Sequence, residues 1–65
     1  MIVIMSKEFN HYEEDAYGTI HFEKIITDFA SNKIKDFVTV EDAYDELANM
    51  ELNPDKWEVK EIGDV

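Results

Sequence analysis

Thr39-Val40-Glu41-Asp42 opens the segment that most restricts how this chain can fold. A threonine hydroxyl can cap the first free amides of a helix, and carboxylates just after it meet the positive end of the helix dipole. At 100° per residue, Val40, Ala43, Tyr44, Leu47 and Met50 fall on one side, with Glu41, Asp42, Asp45, Glu46 and Asn49 on the other. The spacing predicts a helix from about Val40 to Met50 or Glu51, stopped by Asn53-Pro54-Asp55. Its apolar stripe needs a cover, and the flanking segments read as strands. Lys33 to Thr39, with Ile34, Phe37 and Val38, leads directly into the helix. Trp57 to Ile62 begins by alternating, Trp57 and Val59 to one face, and reads as a short final strand.

The first half is less regular. Phe22, Ile25, Ile26 and Phe29 keep helical spacing, yet Thr19, Ile20, Ile25, Ile26 and Thr27 are β-branched and Ser31-Asn32 suits a hairpin turn. Thr19 to Ala30 is therefore read as a strand. Glu13 to Gly18 reads as a turn or loop, and Ile2 to Met5 as a candidate earlier strand. The expected architecture is α+β, a single domain over residues 1–65 with strand and helix order β-β-β-α-β. It is a small, mainly antiparallel sheet with one principal helix packed on one face. Its expected core is Ile20, Phe22, Ile26, Phe29, Ile34, Phe37, Val40, Ala43, Leu47, Trp57 and Val59.

A chain of 65 residues without cysteine has neither a disulfide staple nor a thiolate metal site. A domain this short buries only about 60 % of its unfolded surface, so dimerisation stays open as a further source of burial. Hydrophobic residues make up 45 % of it, too many for a disordered chain. No run approaches the roughly 18 apolar residues of a membrane helix. The apolar start lacks a basic leader and is short for a signal peptide, while Met5-Ser6-Lys7 also reads as a start. A cytoplasmic protein without a membrane partner is expected.

Sixteen carboxylates face six lysines and no arginine, for a net charge of -10. Residues 1–35 carry net -2 and residues 36–65 net -8. Such a field repels nucleic acid and anionic membrane and favours basic surfaces. His11 and His21 have no companion at metal-ligand or triad spacing, so both read as structural, exposed or half-buried. Two glycines cannot build a phosphate loop, and Glu13-Glu14-Asp15 lacks the spacing and turn glycine of a calcium loop. No cofactor, metal or catalytic residue is expected, and the chain reads as a non-enzymatic binding module. Its expected partner-binding residues are Glu41, Asp42, Asp45, Glu46, Glu51, Asp55, Glu58 and Glu61, with Asp64 continuing the field. Carboxylates spaced like backbone phosphates can occupy a lysine- and arginine-lined nucleic-acid groove, with binding that weakens steeply in salt. A second reading is an acidic assembly module that uses an apolar patch such as Phe9, Tyr12 and Tyr17.

Two resemblances bear on this expectation. Thr39-Val40-Glu41-Asp42-Ala43, Leu47, Pro54 and Trp57-Glu58-Val59, with the strand before them, are similar to the strand–helix–strand half of the small RNA-polymerase inhibitors of T7-type phages. That likeness spans about half the chain, implies no catalytic position and makes a polymerase subunit a candidate partner. This chain departs from it in lacking arginine and in its longer, acidic N-terminal part. In size, acidity and lack of cysteine it also resembles the host-takeover proteins of SPO1-type Bacillus phages. Some of these are DNA mimics that fill the DNA-binding cleft of the histone-like nucleoid protein HU. The resemblance implies an acidic homodimer acting as an inhibitor in the host cytoplasm.

Overall fold

The structure, a computed structural model, describes residues 1–8, 12–28 and 30–63. Its elements in chain order are β1 (Ile2–Ser6), β2 (Glu13–Glu14), β3 (Ile20–His21), β4 (Asp36–Phe37), α1 (Val40–Asn49) and β5 (Trp57–Glu61). The fold is α+β, with α1 packed against a three-stranded antiparallel sheet of order β4-β1-β5. The apolar run Ile2-Val3-Ile4-Met5 suits a strand with neighbours on both edges. Its register runs from Ile2 opposite Glu61 to Ser6 opposite Trp57, with Ile2 and Val3 opposite Phe37 and Asp36. Both neighbours are antiparallel to β1, so β4 and β5 are parallel to each other and α1 is the crossover between them.

Residues 24–27 continue the β4 side of the sheet. The Ser6 amide donates to the Lys24 carbonyl (2.8 Å), and the Ile26 amide to the Ile4 carbonyl (3.0 Å). Thr27 then pairs with Ile34 across a narrow turn in which Asn32 takes a left-handed φ of 58°. Asparagine tolerates that conformation better than most residues. β2 and β3 form a separate hairpin, Glu13 opposite His21 and Glu14 opposite Ile20.

Residues directly opposed across the ladder share a face, so Ile4, Ser6, Trp57 and Val59 point the same way. That face meets α1. The core comprises Ile4, Ile26, Leu47, Met50, Leu52 and Trp57, flanked by half-buried Phe37 and Val59. Each large side chain fully buried there contributes about 1.5–3 kcal/mol relative to exposure. The helix begins as its sequence predicts: the Thr39 hydroxyl accepts the Asp42 amide at 3.1 Å. At its other end the Met50 amide reaches the Glu46 carbonyl (2.8 Å), and Glu51 turns the chain with a φ of 54°.

Several expectations are corrected. Ile20 and Phe22 are exposed, 58 % and 59 %, because His21 between them takes the inward position of β3. Ile34 is exposed in the hairpin that precedes the covered strand, and Val40 is exposed at the helix's first position. Val3, Ile4, Met50 and Leu52 are buried instead. The strand expected over Lys33 to Thr39 contracts to Asp36–Phe37 and the Ile34 bridge. Glu13 and Glu14, expected in a loop, form β2. Ile2 to Ser6, a candidate strand by sequence, is the central one. Phe29 lies outside the described residues.

Candidate interaction surface

The acidic residues of α1 separate by angle. Ala43, Leu47 and Met50 are buried, so the opposite side of the helix presents Glu41, Asp42 and Asp45 to solvent. The helix carries no basic residue in its last turn. Glu41 and Asp45, and Asp42 and Glu46, stand four apart, and each like-charged pair costs roughly 0.2–0.5 kcal/mol. Past the helix, Glu51 and Asp55 are exposed in the turn before β5. Among the described residues, no lysine nitrogen lies within 4 Å of Glu41, Asp42, Asp45, Glu51 or Asp55.

The other three candidate residues sit elsewhere. Glu46 is half-buried at the helix–sheet boundary, and its Oε1 is 3.7 Å from Lys35 Nζ. Glu58 opposes Met5 and alternates with Trp57, so it lies on the sheet face turned away from α1. Glu61 is exposed opposite Ile2, at the sheet end where α1 begins. The eight residues thus divide into a group of five on and just beyond the helix and three apart from it. Asp64 lies outside the described residues. Two lysines bond to groups outside the five. Lys24 Nζ donates to the Ser6 carbonyl and Lys56 Nζ to Glu8 Oε1, both at 2.5 Å. The hydrogen bond to Glu8, and then its charge, hold the Lys56 ammonium above its ordinary pKa.

His21 is buried as part of a polar network that braces the β2–β3 hairpin. Its Nε2 lies 2.5 Å from Asp15 Oδ2, and Asp15 Oδ1 accepts the amides of Tyr17 (2.9 Å) and Thr19 (3.0 Å). Burial pushes the Asp15 pKa up. The His21 hydrogen bond, the two amides and the His21 charge outweigh it and leave the carboxyl below its ordinary value. The His21 ring meets Trp57 edge-on at 6.3 Å. Trp57 Nε1 donates to Glu13 Oε1 (3.2 Å), and Glu13 Oε2 accepts the Asn53 amide (2.6 Å). The Ala16 amide donates to the Met50 carbonyl (2.8 Å), which closes the hairpin onto the helix end. The recess beside Asp15 and His21 measures only about 100 Å³, against roughly 300–1,000 Å³ for ligand pockets. Structurally, the histidine–aspartate pair closes the hairpin on itself, while the His21 ring, Glu13 and Ala16 join it to sheet and helix. The signal in the sequence for the partner of His21 was Asp15 three residues before Gly18, an Asx-type turn that brings the hairpin arms together.

A second feature passed unnoticed in the sequence is apolar. Tyr44 and Ala48, on the flank of α1, border an open hollow of about 330 Å³ with Leu47, Glu51, Leu52 and Pro54. Elsewhere, Tyr12 and Tyr17 are each 68 % exposed, and the Tyr12 and Phe22 rings stack at 6.1 Å. Phe9 and His11 lie outside the described residues. No group of three or more histidine, aspartate and glutamate side chains among the described residues is placed to hold a metal ion. No helix among them is long and apolar enough to cross a membrane. Compared with known proteins, the chain matches no family model, no curated protein and no solved structure.

Proposed function

We propose that this protein is a non-enzymatic inhibitor that occupies the DNA-binding surface of a basic host protein, in the manner of a DNA mimic. The observation that carries the reading is the group of five exposed carboxylates, Glu41, Asp42, Asp45, Glu51 and Asp55, with no lysine within 4 Å among the described residues. A domain of this size has little stability to spare, and it holds like charges side by side on one helix with no lysine nitrogen within 4 Å of the five among the described residues. That arrangement is favourable once a cationic surface lies against it, and it steers association with such a surface. The nucleoid protein HU and a polymerase subunit are the candidate partners, and the host cytoplasm is the compartment.

The test uses purified HU, a labelled DNA duplex and paired charge reversals. Asp45→Lys with Asp55→Lys alters the group of five outside the helix's first turn. Glu14→Lys with Glu23→Lys makes the same change in charge at exposed positions on and beside the hairpin. The wild type is expected to displace DNA from HU, with affinity falling at least tenfold between 50 and 200 mM salt, about the change that two neutralised phosphates produce. The first pair abolishes displacement and the second weakens it mildly, both with helical circular dichroism unchanged. Displacement that is flat with salt, or equally lost in both pairs, refutes the reading. A second reading, an assembly module working through an apolar patch, rests on the exposed Tyr12 and Tyr17 and the Tyr12–Phe22 stack. It is favoured if Tyr12→Ala with Tyr17→Ala destroys partner binding that the charge reversals leave intact.

A further inference from the structure

We propose that the hollow between α1 and the turn behind it is a socket for one large apolar side chain, carried on a lysine- or arginine-rich segment of the partner protein. The inference rests on the acidic-surface reading above and specifies how that surface grips.

The shape comes from the helix ending. Leu47 and Leu52 belong to the core and form apolar ground at the hollow, while Tyr44 and Ala48 stand exposed beside them one turn apart. The left-handed backbone of Glu51 reverses the chain sharply, so Leu52 returns to the core and Pro54 adds a further wall. The volume, about 330 Å³, lies at the small end of the roughly 300–1,000 Å³ range of ligand pockets. It matches a single anchoring side chain better than the whole face of a docked helix.

The charge around the hollow selects the carrier of that anchor. Glu51 is part of the lining, Asp55 follows Pro54, and Glu41 lies three residues before Tyr44 on the same flank. The last turn of α1 has no basic residue, so no side-chain cation of the helix offsets the negative end of its dipole. An acidic segment or a nucleic acid is repelled here. A second copy of the chain, itself at -10, is opposed for the same reason. A cationic segment is attracted by the rim, and an apolar residue within it is shielded from water by Tyr44 and Pro54. A central apolar anchor with a charged rim is the usual distribution of strength in a protein interface.

The probes are two fluorescein-labelled peptides, Lys-Lys-Gly-Phe-Gly-Lys-Lys and the same peptide with serine replacing phenylalanine. Each is titrated into the full ¹⁵N-labelled chain. The phenylalanine peptide is expected to bind at least tenfold tighter, with amide shifts centred on Tyr44, Ala48 and Leu52. Ala48→Gln narrows the socket without changing charge and keeps a good helix former. It should remove most of the preference while leaving the weak, salt-sensitive binding of the serine peptide unchanged. Tyr44→Ser, which takes away a wall at an exposed position, should do the same. Equal affinities for the two peptides overturn the socket, as does a preference unaltered by either substitution or shifts centred on Tyr12 and Phe22. Equal but salt-sensitive binding overturns the socket alone and leaves the acidic surface standing. If neither peptide binds at low salt, the acidic-surface reading falls and the socket falls with it.

Discussion

Replacing Asp15 tests whether the buried histidine–aspartate pair holds the hairpin closed. Its side chain is 3 % exposed and accepts three hydrogen bonds, from His21 Nε2 and the amides of Tyr17 and Thr19. A bond to a charged group contributes about 1.5–3 kcal/mol, and three bonds sharing one carboxylate do not add fully. Asp15→Ala should therefore cost roughly 3–5 kcal/mol, against a total near 3–10 kcal/mol for a domain of this length. Asp15→Asn keeps an oxygen for the two amides and loses the charge facing His21, so its cost should be about 1–2 kcal/mol. Urea unfolding followed by the fluorescence of Trp57, the only tryptophan, reads both. The pH dependence has a definite sign. The folded pKa of Asp15 is depressed, so its contribution is full above the unfolded value near 3.9 and disappears as pH falls through the folded value. The Asp15 contribution to the gap between wild type and Asp15→Asn should disappear as pH falls below 4. An alanine variant less than 1 kcal/mol below wild type, or a gap to Asp15→Asn that widens as pH falls below 4, refutes the reasoning.

Two further outcomes follow from the backbone. Glu51→Gly relieves a left-handed conformation that costs a non-glycine residue about 1–2 kcal/mol, so it should raise the thermal midpoint by several degrees in a calorimetric scan. Deleting residues 1–4 removes three of the five residues of β1, including the buried Val3 and Ile4. The truncated chain should lose its cooperative unfolding transition and its amide-exchange protection at β5.

The helix was legible because its information is local: a capping threonine, acids in the first turn, an apolar stripe and a proline beyond the end all lie within sixteen residues. β5 was legible from the alternation of Trp57 and Val59. What sequence could not supply was the distribution of apolar residues between inside and outside where strands are two residues long. Ile20 and Phe22 look like core, yet the inward place between them belongs to His21, whose requirement for Asp15 is met only once the hairpin closes. The central place of β1 depends on pairing with residues more than fifty positions away, which no local pattern records. The acidic group was found by counting charge. Its division was not, because Glu46 and Glu58 are set apart by packing against Lys35 and by strand alternation.

The register that joins β1 to β5 also has a consequence in time. The earliest strand to be synthesised acquires its second neighbour only after residues 57–61 exist. Until then it exposes a bare edge of isoleucine, valine and methionine. Contacts so distant in sequence make folding a late, slow event for so small a protein, and the nascent chain must stay dispersed through that interval. The exposed carboxylates of the helix and the turn behind it are in place to do this, since net charge keeps incompletely folded chains apart. Neutralising them should therefore lower the yield of folded protein even where the stability of the finished fold is unchanged.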